Sequence, residues 1–170
     1  VQKLLFDHAL LPDGWSTSVA IDIDAGTIVA MTPRAAGEGR ERAAGIALPG
    51  LPNLHSHTFQ RAMAGLAEVR GPSGDDFWSW RETMYRFLGT LTPDDVEAIA
   101  AHAFMEMLEG GFTAVAEFHY LHHDIDGQPY AALAEMSARI VAAAAETGIG
   151  LTLLPSLYGY GGVGGAPPTP

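Results

Sequence analysis

The sequence has no cysteine, which excludes disulfides and thiolate metal ligands. Any metal site must therefore be built from His, Asp or Glu. Lysine occurs once, at Lys3, and 9 basic residues face 20 acidic ones, for a net charge of −11. So acidic a chain argues against a nucleic-acid partner and against an anionic membrane. It leaves room for a small anionic substrate, because one arginine in a pocket outweighs the net charge locally. No apolar run approaches the roughly 20 residues of a membrane-spanning helix. The N-terminus lacks a basic stretch followed by an apolar one, so a cytoplasmic protein is expected. What is present is 170 residues at 48% hydrophobic content, enough to bury a core.

The first 45 residues read as all-β. Strands are expected over 3–11, 18–24 and 27–31, with turns at Asp13-Gly14 and Ala25-Gly26. Val19, Ile21 and Ile23 alternate onto one face. Residues 34–45 are polar and read as a loop. Three short strands make too small a unit to stand alone. From residue 46 the pattern becomes strand, helix, strand, helix, strand. Strands are expected over 46–54, 113–120 and 149–157. A short helix is expected over 58–66, an aromatic-rich one over 76–88 and an alanine-rich one over 130–147. Thr92-Pro93-Asp94-Asp95 is a strong start for a further helix, which Gly110-Gly111 stops. Residues 159–170, rich in Gly and Pro, carry no element signal. The fold class is α/β, with parallel β/α units. Three such units do not close a barrel, and an open sheet would leave an apolar edge exposed. The expected architecture is a small β-domain part over 1–45 and the first part of a barrel over 46–170. The rest would come from downstream sequence or from a second chain.

The chemistry concentrates in Leu48-Pro49-Gly50-Leu51-Pro52-Asn53-Leu54-His55-Ser56-His57. On a strand, period-two geometry points His55 and His57 to the same face. Two neutral imidazoles side by side suit one divalent ion. A bare His-x-His is common, but one preceded by Pro-Gly-x-x-Asn at a strand end is specific. His55 and His57 are therefore the candidate metal ligands. A catalytic zinc takes three or more protein ligands, and His119 is the best local candidate for a third. The blander reading of His119, as a residue lining the pocket, is favoured. Glu117 shares the His119 face and would point into the barrel, as an outer anchor for a metal-bound histidine or as an ion-pair partner. His122-His123-Asp124 reads as a rim turn, and His8 and His102 as histidines without a chemical role.

Gln60 follows the histidine pair, where a loop residue reaches a bound ligand with both a donor and an acceptor. Phe77-Trp78-Ser79-Trp80-Arg81-Glu82 reads in part as core packing. Arg81 among tryptophans also suits a carboxylate gripped by two parallel hydrogen bonds, and Tyr120 offers a hydroxyl nearby.

Residues 49–57 resemble the first-strand signature of the amidohydrolase superfamily. The longer run through Thr58-Phe59-Gln60-Arg61-Ala62-Met63-Ala64-Gly65-Leu66 resembles, within it, the formimidoylglutamate deiminase family of histidine degradation. The runs 77–85 and 116–124 strengthen that resemblance, which covers nearly the whole chain. It implies a (β/α)8 TIM-like barrel with a small β-sandwich built from both chain ends. It implies one divalent ion, usually Zn2+, held by His55, His57, a later histidine and a late aspartate. Gln60, Arg81 and Tyr120 would bind a small-molecule substrate, N-formimino-L-glutamate, which is hydrolysed to N-formyl-L-glutamate and ammonia. The remaining ligands and the catalytic acid/base residues would lie beyond Pro170, so the isolated chain is expected to be inactive. A homodimer is the assembly the resemblance suggests. Two other readings stand beside it: a sibling deaminase acting on a purine or other amidine, and a non-catalytic metal-binding or structural half-domain. His and carboxylate ligands suit zinc, iron and manganese alike.

Overall fold

The computed structural model describes residues 1–67, 76–161 and 164–167; the end of the 159–170 tail thus lies outside the described residues. The chain divides into two compact units, Val1–Gly50 and Leu51–Pro170.

In the first unit, β1 (Gln2–Leu11), β2 (Gly14–Asp24) and β3 (Thr27–Thr32) form an antiparallel meander. The β2–β3 turn is Ala25-Gly26, with φ of 47° and 80°. Two positive φ values give a twist that matches the flanking strands, and glycine supplies one of them without strain. Val19 and Ile21 are buried with Ala9, and Ile23 packs against them. β2 begins at Gly14, four residues before the strand expected from residue 18. Ser18 interrupts the sequence pattern with a φ of 51°, yet pairing with β1 continues on both sides of it. The polar 34–45 segment is not wholly loop. Its β4 (Glu41–Arg42) pairs in parallel with β1, and Arg40 beside it forms an ion pair with Asp22 of β2.

The expected strand over 46–54 is two strands. β5 (Ile46–Ala47) pairs in parallel with β1, and β6 (Leu51–Ser56) pairs in parallel with β7 (Phe112–His119). Between them lie Pro49, which lacks a backbone N–H, and Gly50. Leu54 of β6 is 77% exposed. Among the described residues β6 pairs on one side only, in a sheet ordered β6-β7-β8, where β8 is Gly150–Pro155.

The helices of this second unit start where their caps are. α1 (Phe77–Leu88) opens on Asp76, whose carboxylate accepts from Trp78 N and Ser79 N at 2.8 and 2.9 Å. Such a cap contributes about 1 kcal/mol. α2 (Pro93–Glu109) opens on a reciprocal Thr92–Asp95 capping box. α3 (Glu135–Thr147) starts five residues later than the alanine pattern suggests and has no side-chain cap. It ends at Gly148, whose φ of 79° closes the helix as glycine does best. The segment before the second-unit helices, over 58–66, shortens to a 3₁₀ helix at Thr58–Met63.

Val96, Ala100 and Phe104 of α2 meet Met136, Ile140, Ala143 and Ala144 of α3 over Val115 of β7. Leu151 and Leu153 of β8 pack against the same cluster. Arg139 of α3 ties the two helices at their polar margin, bonding Asp94 at 2.8 Å, Glu97 at 2.9 Å and Glu135 at 2.8 Å. No helix among the described residues is long and apolar enough to cross a membrane.

Phe104 is fully buried at the centre of this layer. Phe104→Ala should lower unfolding free energy by about 3–5 kcal/mol through lost contacts and a residual cavity. Equilibrium denaturation in urea reads that loss directly.

Candidate active site

β6 ends in an irregularity that places the two histidines. Asn53 pairs with Val115 and Ser56 with Glu117, so β6 advances three residues while β7 advances two. This is the count of a β-bulge. Asn53 supports it, because its Oδ1 accepts from His55 N at 3.2 Å and its amide donates to Met107 Sδ of α2 at 3.6 Å.

The His55 and His57 rings stand edge-on, with centroids 4.6 Å apart. Their Nε2 atoms are 3.0 Å apart. His57 Nδ1 lies 2.8 Å from the carbonyl oxygen of Phe118, so a neutral His57 carries its proton on Nδ1 and turns the Nε2 lone pair outward. Two nitrogens on one tetrahedral ion, at metal–nitrogen bonds of about 2.0–2.1 Å, lie about 3.3 Å apart. The donor pair therefore fits a divalent ion, with a main-chain carbonyl fixing one tautomer as metal-bound histidines require. Among the described residues, no group of three or more His, Asp or Glu side chains is arranged around a common point. His119 does not join the pair as a third ligand.

The reason lies in strand parity. Val115 belongs to the helix-packed core, and Glu117 and His119 follow it at period two, all three buried. Phe118 takes the opposite face, where its ring meets those of His55 and His57 at 5.9 and 5.4 Å. Glu117 and His119 do share a face, as expected, but it is the helix face and not the face that carries the histidine pair. Glu117 Oε1 accepts from Thr58 N at 2.7 Å and from Thr58 Oγ1 at 2.8 Å. The buried carboxylate thus anchors the residue that follows His57. Its Oε2 and His119 Nε2 have no hydrogen-bond partner among the described residues. Burial, with His122 adding to it, lowers the His119 pKa from 6.5 to about 4. His122 itself faces Ser156 O at 2.8 Å, and Asp124 closes a turn with Gln128.

Tyr120, just past β7, gathers the remaining candidates. Its ring packs edge-on against His57 at 5.2 Å and Phe59 at 5.4 Å. Gln60 Nε2 donates to its hydroxyl at 3.2 Å, and that hydroxyl donates to Met84 Sδ at 3.6 Å. Burial raises the phenol pKa, against the Gln60 hydrogen bond. The phenol is thus a donor at neutral pH. Arg81 sits on α1, one turn before Tyr85. Its Nε and Nη2 donate to the Tyr85 hydroxyl at 3.2 and 2.9 Å, and its guanidinium carbon lies 5.8 Å from the Trp78 ring centroid. The structure therefore brings His55, His57, Gln60 and Tyr120 into one cluster and seats Arg81 on the helix whose Met84 lines it.

Sequence reading missed Asn53 as a support, Thr58 as the Glu117 partner, and Met84 and Tyr85 on α1. The asparagine was visible in the strand-end motif. Met84 and Tyr85 lie in the 77–85 run that carries the resemblance, but beyond helical spacing from Arg81 no sequence feature assigned them a role.

A family model described as the amidohydrolase family matches residues 46–157. The chain belongs to the amidohydrolase family. It is 56% identical over 168 residues to a formimidoylglutamate deiminase of Pseudomonas aeruginosa, covering 98% of this chain and 37% of that protein. It is 34% identical over 76 residues to an 8-oxoguanine deaminase of the same organism, covering 45% of this chain and 16% of that one. Among solved structures, an amidohydrolase from Brucella melitensis superposes with a TM-score of 0.87 at 53% identity, over 98% of this chain and 37% of its own. An atrazine chlorohydrolase from Arthrobacter aurescens, solved in complex with zinc, shares the fold at a TM-score of 0.61 and 23% identity, over 88% of this chain and 35% of its own. The chain thus spans little more than a third of the length of the formimidoylglutamate deiminase and of the two solved structures.

The lowered His119 pKa has a sign that can be checked. Its neutral form is favoured in the folded chain, so stability is held above about pH 6.5 and lost as pH falls toward about 4. His119→Phe should flatten that part of a plot of unfolding free energy against pH, and an unchanged slope would contradict the assignment.

Proposed function

We propose that this chain is part of a metal-dependent hydrolase that deiminates N-formimino-L-glutamate to N-formyl-L-glutamate and ammonia, a step of histidine degradation. The 56% identity to a protein of that name supports the substrate class. The observation that carries the chemistry is the facing His55 and His57 Nε2 pair at 3.0 Å, with Tyr120 against His57. In this reading the chain is the first part of a (β/α)8 barrel with strands of a small β-sandwich. Further barrel, downstream or in a second chain, supplies the other ligands and the acid/base groups.

His55 and His57 would hold one divalent ion, with zinc favoured by the zinc-bound structural relative. When bound, such an ion lowers the pKa of a water to near neutrality and polarises the bond under attack. Water adds to the formimino carbon, the bond to the terminal nitrogen breaks, and ammonia leaves, so that the formyl oxygen comes from water. The chain's own residues orient that carbon. Arg81 takes a glutamate carboxylate through parallel N–H donors. Tyr120 stays protonated at neutral pH, and its single O–H, which points to Met84 Sδ in the structure, would turn from that sulfur to donate to the ligand. Gln60 spends an amide N–H on Tyr120 and keeps its carbonyl oxygen for an N–H of the amidine.

In the complete protein, His55→Ala and His57→Ala should each lower the bound metal measured by plasma mass spectrometry. Ammonia release should fall by more than the roughly 10- to 100-fold that loss of an outer supporting residue costs. The isolated 170-residue chain should not turn over. A panel of N-formimino-L-glutamate against adenine and guanine derivatives separates this reading from that of a purine deaminase, which the 8-oxoguanine deaminase match would favour. Full metal content in both variants, or ammonia released from a purine alone, would overturn it.

A further inference from the structure

Arg81 has five N–H donors in a planar fork. Two of them, on Nε and Nη2, converge on one acceptor, the Tyr85 hydroxyl. Among the described residues no carboxylate pairs with this guanidinium, although acidic side chains outnumber basic ones 20 to 9. Trp78, Arg81 and Tyr85 follow one another at spacings of three and four along α1, so they share a face. The Trp78 and Tyr85 ring centroids lie 5.8 and 5.1 Å from the guanidinium carbon. Both rings are open to solvent, at 62% and 46% exposure. The neighbouring residue, Met84, faces inward and accepts from Gln60 and Tyr120. Tyr85 is also close enough to Tyr120 to help raise its pKa. The phenol of Tyr85 is thus bonded to Arg81 on the helix whose Met84 faces Gln60 and Tyr120.

An arginine offers a carboxylate two bidentate edges: the side edge of Nε and Nη2, and the terminal edge of Nη1 and Nη2. Tyr85 fills the side edge, and the two flanking rings restrict how the plane can turn. We propose that Tyr85 is a positioning residue that locks Arg81 so that only its terminal edge is presented to a ligand carboxylate. The ligand class is a dicarboxylate amidine, and the inference rests on the proposed role of Arg81 in substrate binding. The guanidinium is pre-oriented before ligand arrives, which lowers the ordering cost of binding. The contacts of Tyr85 among the described residues are with Arg81 and not with the histidine pair, so its effect should fall on affinity and not on the bond-breaking step.

The test is a double-mutant cycle in the complete protein, using Tyr85→Phe, Arg81→Gln and both together. Glutarate is titrated calorimetrically into each, and kcat and KM for N-formimino-L-glutamate are measured beside it. Tyr85→Phe should weaken glutarate binding by about tenfold, the scale of a hydrogen bond to a charged group. KM should rise to a similar degree while kcat stays within about twofold. In the Arg81→Gln background the same substitution should have no further effect. Equal losses in both backgrounds, unchanged glutarate affinity in Tyr85→Phe, or a wild-type protein that does not bind glutarate would overturn the proposal. A wild-type protein that binds glutarate but releases no ammonia from the formimino compound would instead remove the deiminase reading. Glutarate binding alone then decides the role of Tyr85.

Discussion

Between Asn53 and Ser56 the edge strand gains one residue on its neighbour, and the rest of the site depends on that gain. Without it, Asn53, His55 and His57 would keep the face of Val115 and point toward the helices. With it, Asn53 keeps its contact with Met107 of α2 while His55 and His57 swing onto the face that carries Phe118. The chain must then turn away at once. Glu117 makes it do so by taking both the N–H and the hydroxyl of Thr58, the first residue of the 3₁₀ turn. Two full hydrogen bonds to a buried carboxylate are a strong constraint on one residue, since leaving such a group unpaired costs more than pairing it gains.

The 3₁₀ turn carries the consequence forward. Phe59 and Met63 drop into the core beside α2 and α3, and Gln60 is left toward Tyr120. Tyr120 then meets four kinds of neighbour at once: an imidazole, aromatic rings, an amide and a thioether. Its phenol raises no demand for a charged partner, because burial keeps it protonated. Packing and polar function are therefore carried by the same residues. The turn that seals the core also aims the polar groups.

Much of this was legible in the sequence, for identifiable reasons. Thr92-Pro93-Asp94-Asp95 and Gly148 mark helix ends through local chemistry that needs no tertiary context, and the structure uses them as written. The histidine pair was legible because Pro49-Gly50 and Asn53 precede it at a strand end, a context far more specific than the spacing of two itself. Three things were not. The split between β5 and β6 depends on Ile46 and Ala47 finding β1, a long-range pairing with no local mark. The late start of α3 reflects the absence of any capping side chain, which an alanine-rich pattern does not reveal. The face taken by Glu117 and His119 follows from the register of Val115 against the helices, and alternation alone gives parity without saying which side is which.

The acceptor that holds His57 Nδ1 is a main-chain oxygen, that of Phe118. Every amino acid carries that oxygen, so no side-chain exchange at position 118 removes it while the strand keeps its place. Selection can vary the ring there, and with it the packing around the histidines, without touching the proton that sets the His57 tautomer. The ladder between β6 and β7 guards that proton, and the mutations that reach it are those that shift a strand.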